Sequence, residues 1–126
     1  YIETNREAVE TIFNLLKDNG KTVYLKPDKN LIYHYIDLGE QAFFIKPLIS
    51  ESPLQIIDDI PTPTIEKILV DIHKDKDFFY LQGKESNYIF ENAFNLFCIN
   101  ETKLLRYASR RGIREEINSQ INLLKL

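Results

Sequence analysis

The 126-residue sequence predicts an α+β fold, with a small mixed sheet of about three strands after an N-terminal helix, followed by about four helices packed on or beside it. Two observations support this prediction. Before residue 61, short segments rich in Val, Ile, Tyr and Phe are bounded by Gly and Pro, as strands usually are. After it, apolar residues recur at three- and four-residue steps, as in helices. We expect a single domain spanning residues 1–126.

The N-terminal helix is predicted to begin at Thr4. Thr4 and Glu7 fit the capping box, in which each side chain accepts a hydrogen bond from the other residue's backbone N–H. Gly20 is predicted to end this helix by adopting a left-handed conformation. The apolar stripe of the helix comprises Ala8, Val9, Ile12, Phe13 and Leu16.

Three strands are predicted at residues 23–25, 31–38 and 42–46, although 31–38 also fits a short helix. Residues 50–60 are predicted to be irregular, because Ser-Pro within them interrupts regular structure. The sequence does not begin with Met, and its first three residues resemble the middle of a strand. We therefore expect the chain to be the C-terminal part of a longer protein.

Residues 61–73 are predicted to enter and form a central helix. Thr62 is the expected N-cap and Pro63 the first helical residue, where a missing N–H costs nothing. Glu66 and Asp71 lie about 140° apart around the helix, so we expect two separate surface charges. The face toward the core is predicted to comprise Ile65, Ile68, Leu69 and Ile72.

Three further apolar stripes predict the remaining helices. Asn100 is the expected N-cap of the second of them, and Gly112 its end. The stripes comprise Ile89, Phe90, Ala93, Phe94 and Phe97, then Leu104, Leu105 and Ala108, and finally Ile113, Ile117, Ile121 and Leu124.

Composition excludes several classes of protein. The chain is 44% hydrophobic with a net charge of -3, which is typical of globular and not of disordered proteins. No apolar run approaches the roughly 18 residues of a membrane-spanning helix. Cys98 is the single cysteine, so no internal disulfide can form and a cytoplasmic location is expected. We predict that Cys98 is a small buried apolar residue.

No catalytic, cofactor-binding or metal-binding residue is predicted. His34 and His73 lack a Cys or His at metal-ligand spacing, and His73 is expected to face the C-terminal dipole of its helix. A metal-dependent nuclease would need two acids and a Lys at the ends of neighbouring strands. Asp37 and Lys46 fit that pattern, but Phe44 stands where the second acid is required.

The best candidate for binding is a basic cluster near the C-terminus. Residues 1–100 hold 10 basic and 16 acidic residues, a net charge of -6, whereas residues 101–126 hold six and three, a net charge of +3. Such a cluster can bind nucleic acid or an acidic protein surface. The alternative is that it consists of solvated helix ends paired with Glu101, Glu115 and Glu116. The predicted partner-binding residues are Lys103, Arg106, Arg110, Arg111 and Arg114.

Three stretches carry a family resemblance. They are Ile45-Lys-Pro-Leu-Ile-Ser-Glu-Ser-Pro-Leu-Gln55, Pro61-Thr-Pro-Thr-Ile-Glu-Lys-Ile-Leu-Val-Asp71 and Leu104-Leu-Arg-Tyr-Ala-Ser-Arg-Arg111. Together they resemble the C-terminal domain of AbiEi-type proteins, the antitoxin and transcriptional-regulator half of abortive-infection toxin–antitoxin pairs. The resemblance implies a nucleotidyltransferase-like toxin as partner. It also implies promoter DNA as a partner of the full-length protein, through a preceding winged helix-turn-helix that this sequence lacks.

Two hypotheses of different classes follow. The first is a non-enzymatic regulatory module of an AbiEi-like antitoxin, with no cofactor. The second is a nuclease-like α/β domain that acts on nucleic acid. A titration with Mg²⁺ or Mn²⁺ would distinguish them, because a nuclease site binds such ions and an antitoxin module need not.

Overall fold

The computed structural model describes residues 1–25, 41–75, 78 and 82–125. Within these ranges the chain combines five α-helices with two small sheets, which confirms the predicted α+β class. It divides into two compact units, Tyr1–Ile49 and Ser50–Leu126. None of the helices in the described ranges is long and apolar enough to cross a membrane.

The first unit is built on a three-stranded parallel sheet. Its elements are strand β1 (Ile2–Thr4), a short 3₁₀ helix (Arg6–Ala8), helix α1 (Val9–Asp18), strand β2 (Val23–Leu25) and strand β3 (Phe43–Pro47). Strand β3 lies between β1 and β2, and its central residue Ile45 is buried. Helix α1 connects the two outer strands, β1 and β2, and contacts both β2 and β3.

Three predictions for this unit are confirmed, the first being the strand at residues 23–25, and one is wrong. The chain does begin with a strand, and Gly20 has the expected left-handed backbone, with φ 77°. The capping box at Thr4 does not form. Thr4 is held extended as the last residue of β1, opposite Pro47, and its carbonyl accepts the Leu48 N–H at 2.8 Å. Asn5 therefore precedes the first turn, and its side chain makes no capping bond.

The second unit is an antiparallel hairpin followed by four helices. Its elements are β4 (Leu54–Ile57), β5 (Ile60–Pro63), α2 (Ile65–Lys74), α3 (Lys84–Leu96), α4 (Glu101–Arg110) and α5 (Arg114–Leu124). The prediction that residues 50–60 are irregular is wrong. Asp58 and Asp59, with φ of 51° and 66°, form the two-residue turn, as in a type I′ hairpin. An Asp-Asp pair is a weaker hairpin signal than Asn-Gly, so the sequence pattern did not reveal the turn.

Helix α2 starts two residues later than predicted. Its N-cap is Thr64, whose hydroxyl accepts a hydrogen bond from the Lys67 N–H at 3.3 Å and donates one to the Pro53 carbonyl at 3.1 Å. Thr62 and Pro63 belong to β5, because pairing with β4 holds them extended. The hairpin thus decides where the helix begins, and the predicted cap at Thr62 is wrong.

The buried face of α2 also differs from the prediction. Leu69 is 0% exposed, and Val70 and Ile72 are buried, but Ile68 is 38% exposed. The helix is rotated because its polar residues Lys67 and Asp71 face inward. The core of the unit comprises Leu69, Val70, Ile72, Phe90, Ala93, Leu104, Tyr107, Ala108, Ile117 and Ile121.

Helix α4 begins and ends as predicted. The Asn100 side chain accepts a hydrogen bond from the Lys103 N–H at 3.0 Å, and Gly112, with φ 75°, follows its last turn. The prediction that Cys98 is buried is wrong. Helix α3 ends at Leu96, so Phe97 and Cys98 lie in an exposed connection instead of on the apolar stripe.

Some predictions fall outside the described residues. These are the strand or helix predicted at 31–38, and His34 and Asp37 within it.

The core face of α2 can be tested with two neighbouring substitutions. Leu69→Ala removes a fully buried side chain and should lower the free energy of unfolding by about 2–5 kcal/mol. Ile68→Ala changes a side chain that is over a third exposed and should cost well under that amount, about 1 kcal/mol or less. Urea denaturation of both variants measures the difference, and equal losses would contradict the rotation of α2.

Candidate binding cleft

A shallow cleft of about 510 Å³ lies along one face of α4. Its lining is rich in arginine and hydroxyl groups and includes two glutamates. The lining residues are Glu51, Glu101, Thr102, Leu105, Arg106, Ser109, Arg110 and Arg114. Three of the five residues predicted to bind an anionic partner therefore share one concave surface, which we call the arginine cleft.

Helical spacing explains why these arginines converge. Arg106 and Arg110 are four residues apart on α4 and so lie about 40° apart around the helix. Gly112 then reverses the chain with its positive φ, and Arg114 follows in the first turn of α5. The cleft is thus formed by one face of α4 along its length, by the start of α5 and by Glu51.

The arginines of the cleft are only lightly engaged within the chain. The Arg106 side chain is 75% exposed. Its Nη2 lies 3.4 Å from Glu51 Oε1, at the long end of the hydrogen-bond range. Arg110 donates from Nε to the Ser50 hydroxyl at 2.6 Å. Arg114 is exposed, and among the described residues no ion pair holds it. Most of their guanidinium donors therefore remain available to a ligand.

The other two predicted residues lie elsewhere. Lys103 is exposed in the first turn of α4 but does not line the cleft. Arg111 lies about 140° around the helix from Arg106 and points into the second unit. The five basic residues that the sequence groups together therefore divide into three that line the cleft and two that do not.

Arg111 belongs to a buried network that joins α2 to α4. Asp71 is its centre: it accepts hydrogen bonds from Lys67, from the Tyr107 hydroxyl at 2.7 Å and from Arg111 Nη1 at 2.6 Å. Arg111 Nη2 also bonds Asp75, the C-cap of α2. Two cations face two carboxylates, so we call this the Asp71 network. The two positive charges of the network offset its two negative charges.

The Tyr107 ring lies between the two cations. Lys67 Nζ is 5.6 Å and Arg111 Cζ is 5.9 Å from the ring centroid, close enough for cation–π attraction. Burial raises the pKa of the Tyr107 phenol, and the neighbouring Asp71 carboxylate raises it further. Burial alone would lower the pKa of Arg111, but hydrogen bonds from its guanidinium to Asp75 and Tyr107 raise it above its ordinary value. Both groups keep their protons at neutral pH.

The Asp71 network holds α2 against α4 and is closed to ligands at its centre. Lys67 is 0% and Tyr107 1% exposed, so neither can reach a substrate. The prediction that Glu66 and Asp71 are surface charges is wrong, since both are buried. A sequence signal was present: Lys67 with Asp71, and Tyr107 with Arg111, each have the four-residue spacing that brings side chains together on a helix.

The alternative interpretation of the basic cluster is that its residues pair with Glu101, Glu115 and Glu116, but the ion pairs in the structure are different ones. Glu101 pairs with Lys125 at 3.2 Å. Within the described ranges, no ion pair joins the arginines to Glu101, Glu115 or Glu116. Their internal partners are Glu51 for Arg106, and Asp71 and Asp75 for Arg111.

Neither histidine nor carboxylate groups assemble a metal centre in the part of the chain that the structure describes. No three of its His, Cys, Asp and Glu side chains converge as ligands. His73 lies in the last turn of α2, with Nδ1 3.0 Å from the Leu69 carbonyl and its ring packed edge-on against Phe90. Its position in the last turn is as predicted, and its ring contributes to packing between α2 and α3.

Breaking the Asp71 network should destabilise the protein strongly. Asp71→Asn leaves the fully buried Lys67 and the adjacent Arg111 without this carboxylate, which should cost about 3–5 kcal/mol. The matched control is Glu101→Gln, which removes an exposed pair and should cost about 1 kcal/mol or less. Chemical denaturation measures both. Similar losses in the two variants would show that the network does not carry stability.

The raised pKa of Tyr107 predicts a loss of stability at alkaline pH. The unfolded phenol releases its proton near pH 10, whereas the folded one keeps it to higher pH. The free energy of unfolding therefore decreases progressively as pH rises above about 10. This contribution is fully present below that pH. Tyr107→Phe should therefore flatten the decline of the denaturation midpoint between about pH 9 and 11. A midpoint that falls as steeply with pH in Tyr107→Phe as in the wild type would contradict this prediction.

Comparison with known proteins gives a family but no activity. No curated protein and no solved structure matches the chain significantly. One family model matches, that of a family of unknown function, DUF6577, and its match extends over residues 1–126. The description names no activity, so the antitoxin resemblance stays a prediction. Because the match covers the whole sequence, the chain belongs to the DUF6577 family.

Proposed function

We propose that this protein is a non-enzymatic binding module of an AbiEi-like antitoxin and transcriptional regulator, and that its arginine cleft binds carboxylates on a nucleotidyltransferase-like toxin. The observation that carries the proposal is the convergence of Arg106, Arg110 and Arg114 on one open concave surface. The planar guanidinium group suits this task, because it can pair with a carboxylate through two parallel hydrogen bonds.

The contacts that the cleft arginines make within the chain are weak enough for an external ligand to replace them. The pair between Arg106 and Glu51 is long and exposed, and such surface pairs contribute only about 0–1 kcal/mol. A partner carboxylate that excludes water can displace Glu51 at little cost. The hydroxyl groups of Ser50 and Ser109 lie close by and can serve as further donors.

The composition of the cleft favours an acidic protein surface over duplex DNA. Glu51 and Glu101 also line the cleft and interrupt its positive surface, so it suits isolated carboxylates seated on the arginines better than a continuous phosphate backbone. In the family that the sequence resembles, promoter DNA is bound by a preceding winged helix. The cleft is then available for the toxin, and both partners would meet in the cytoplasm.

The cleft is tested with a triple substitution. Arg106→Ala, Arg110→Ala and Arg114→Ala together should weaken binding of the neighbouring gene's nucleotidyltransferase-like product. The loss should be at least about 30-fold even if only one of the three pairs is desolvated, because one desolvated pair contributes about 2–5 kcal/mol. Calorimetry on the purified proteins measures the affinity, and neutralisation of toxicity in cells should fail in parallel. Arg111 is left intact because it belongs to the Asp71 network.

The control is Lys103→Ala, which removes an exposed charge from the same helix outside the cleft. It should change the affinity only a few-fold. Wild-type binding by the triple variant would contradict the proposal. A second outcome would also contradict it: toxin binding is unchanged, but the slope of promoter affinity against salt concentration, on logarithmic scales, decreases by about one for each lost arginine. The cleft would then contact DNA phosphates.

A further inference from the structure

The hairpin of β4 and β5 carries large apolar side chains that the described part of the chain leaves exposed. Ile56 is 66% and Ile60 63% exposed, and Leu54 and Ile57 are also exposed. A two-stranded hairpin is only marginally stable by itself in water. Among the described residues, neither strand has a second strand as neighbour.

The hydrogen-bonding register shows which backbone groups point outward. Thr64 donates its N–H to the Pro53 carbonyl at 3.2 Å, so residues 53 and 64 form a hydrogen-bonded pair. Such pairs alternate along an antiparallel ladder, so 55 with 62 and 57 with 60 are hydrogen-bonded as well. The backbone groups of Leu54 and Ile56 therefore point away from β5, and those of Pro61 and Pro63 point away from β4.

The two edges of the hairpin consequently differ in chemistry. On the β5 edge both outward residues are prolines, which have no N–H to donate. On the β4 edge Leu54 and Ile56 each present an outward N–H and C=O. Proline on an edge strand is a known protection against further pairing, and here it protects one side only.

We propose that β4 pairs antiparallel with β4 of a second copy of this chain, which makes a symmetric dimer through a four-stranded sheet. Leu54, Ile56, Pro61 and Pro63 share one face of each hairpin, since directly opposed residues point to the same side. Pairing would join the two apolar faces into one. The second copy is the occupant because the edge is self-complementary in an antiparallel arrangement.

The proline edge explains why this assembly stops at two copies. In the dimer both β4 edges are used, and the sheet ends on each side at β5, whose outward residues lack donors. A hairpin with two open apolar edges would continue to add strands and would form fibres. The arrangement of one open and one blocked edge is therefore suited to a closed pair.

The test is the oligomeric state of the 126-residue chain, measured by sedimentation equilibrium over a range of concentrations. The wild type should have the mass of two chains. Ile56→Pro removes the outward N–H and mirrors the prolines of β5, so it should preserve the hairpin and yield the mass of one chain. Ile56→Lys should do the same, by placing a charge on the paired edge.

The matched control is Ile60→Lys, at a side chain that is equally exposed but lies on β5 and on the other face. It should remain dimeric. Amide hydrogen exchange supplies a second readout: the N–H groups of Leu54 and Ile56 should become protected as concentration rises. Those of Gln55 and Ile57, which bond β5 in either state, should not change. A monomeric wild type, or a dimer unaffected by both Ile56 variants, would overturn the proposal.

Discussion

The carboxylate of Asp71 is the group on which the arrangement of the helical unit depends. It accepts hydrogen bonds from Lys67 on its own helix and from Tyr107 and Arg111 on α4. Removing charged groups from water is costly unless each finds a partner with good geometry. Here Arg111 also reaches Asp75, so two cations and two carboxylates compensate one another between α2 and α4. Only one rotation of each helix about its axis brings all of these groups together.

That rotation has consequences on both helices. On α2 it turns Lys67 and Asp71 inward and leaves Ile68 partly exposed, against the simple apolar pattern. On α4 it buries Tyr107 and directs Arg111 inward. Arg106 and Arg110, which lie about 140° and 100° around the helix from Arg111, are then directed toward solvent. The arginine cleft is open because the Asp71 network has fixed which arginine is inside.

A second constraint is the pairing of β4 with β5 in the hairpin. Its prolines cannot donate hydrogen bonds, so they must occupy the outward positions of β5. The same pairing holds Thr62 and Pro63 extended, and the helix that follows can begin only when Thr64 becomes its cap. One short element thus determines both the start of α2 and the difference between the two edges of the hairpin.

The sequence by itself determined the α+β class, the strand at the start of the chain, the cap at Asn100 and the turns at Gly20 and Gly112. These features depend on local backbone chemistry: a side chain that accepts a nearby N–H, or a glycine that tolerates positive φ. It also located the basic cluster, because charge is visible in composition. Only the tertiary structure decided which of the arginines is buried, that Asp71 is internal and that Cys98 is exposed. The reason is physical, since burial of a charge depends on partners 36 to 40 residues away in the chain, which no local pattern reveals.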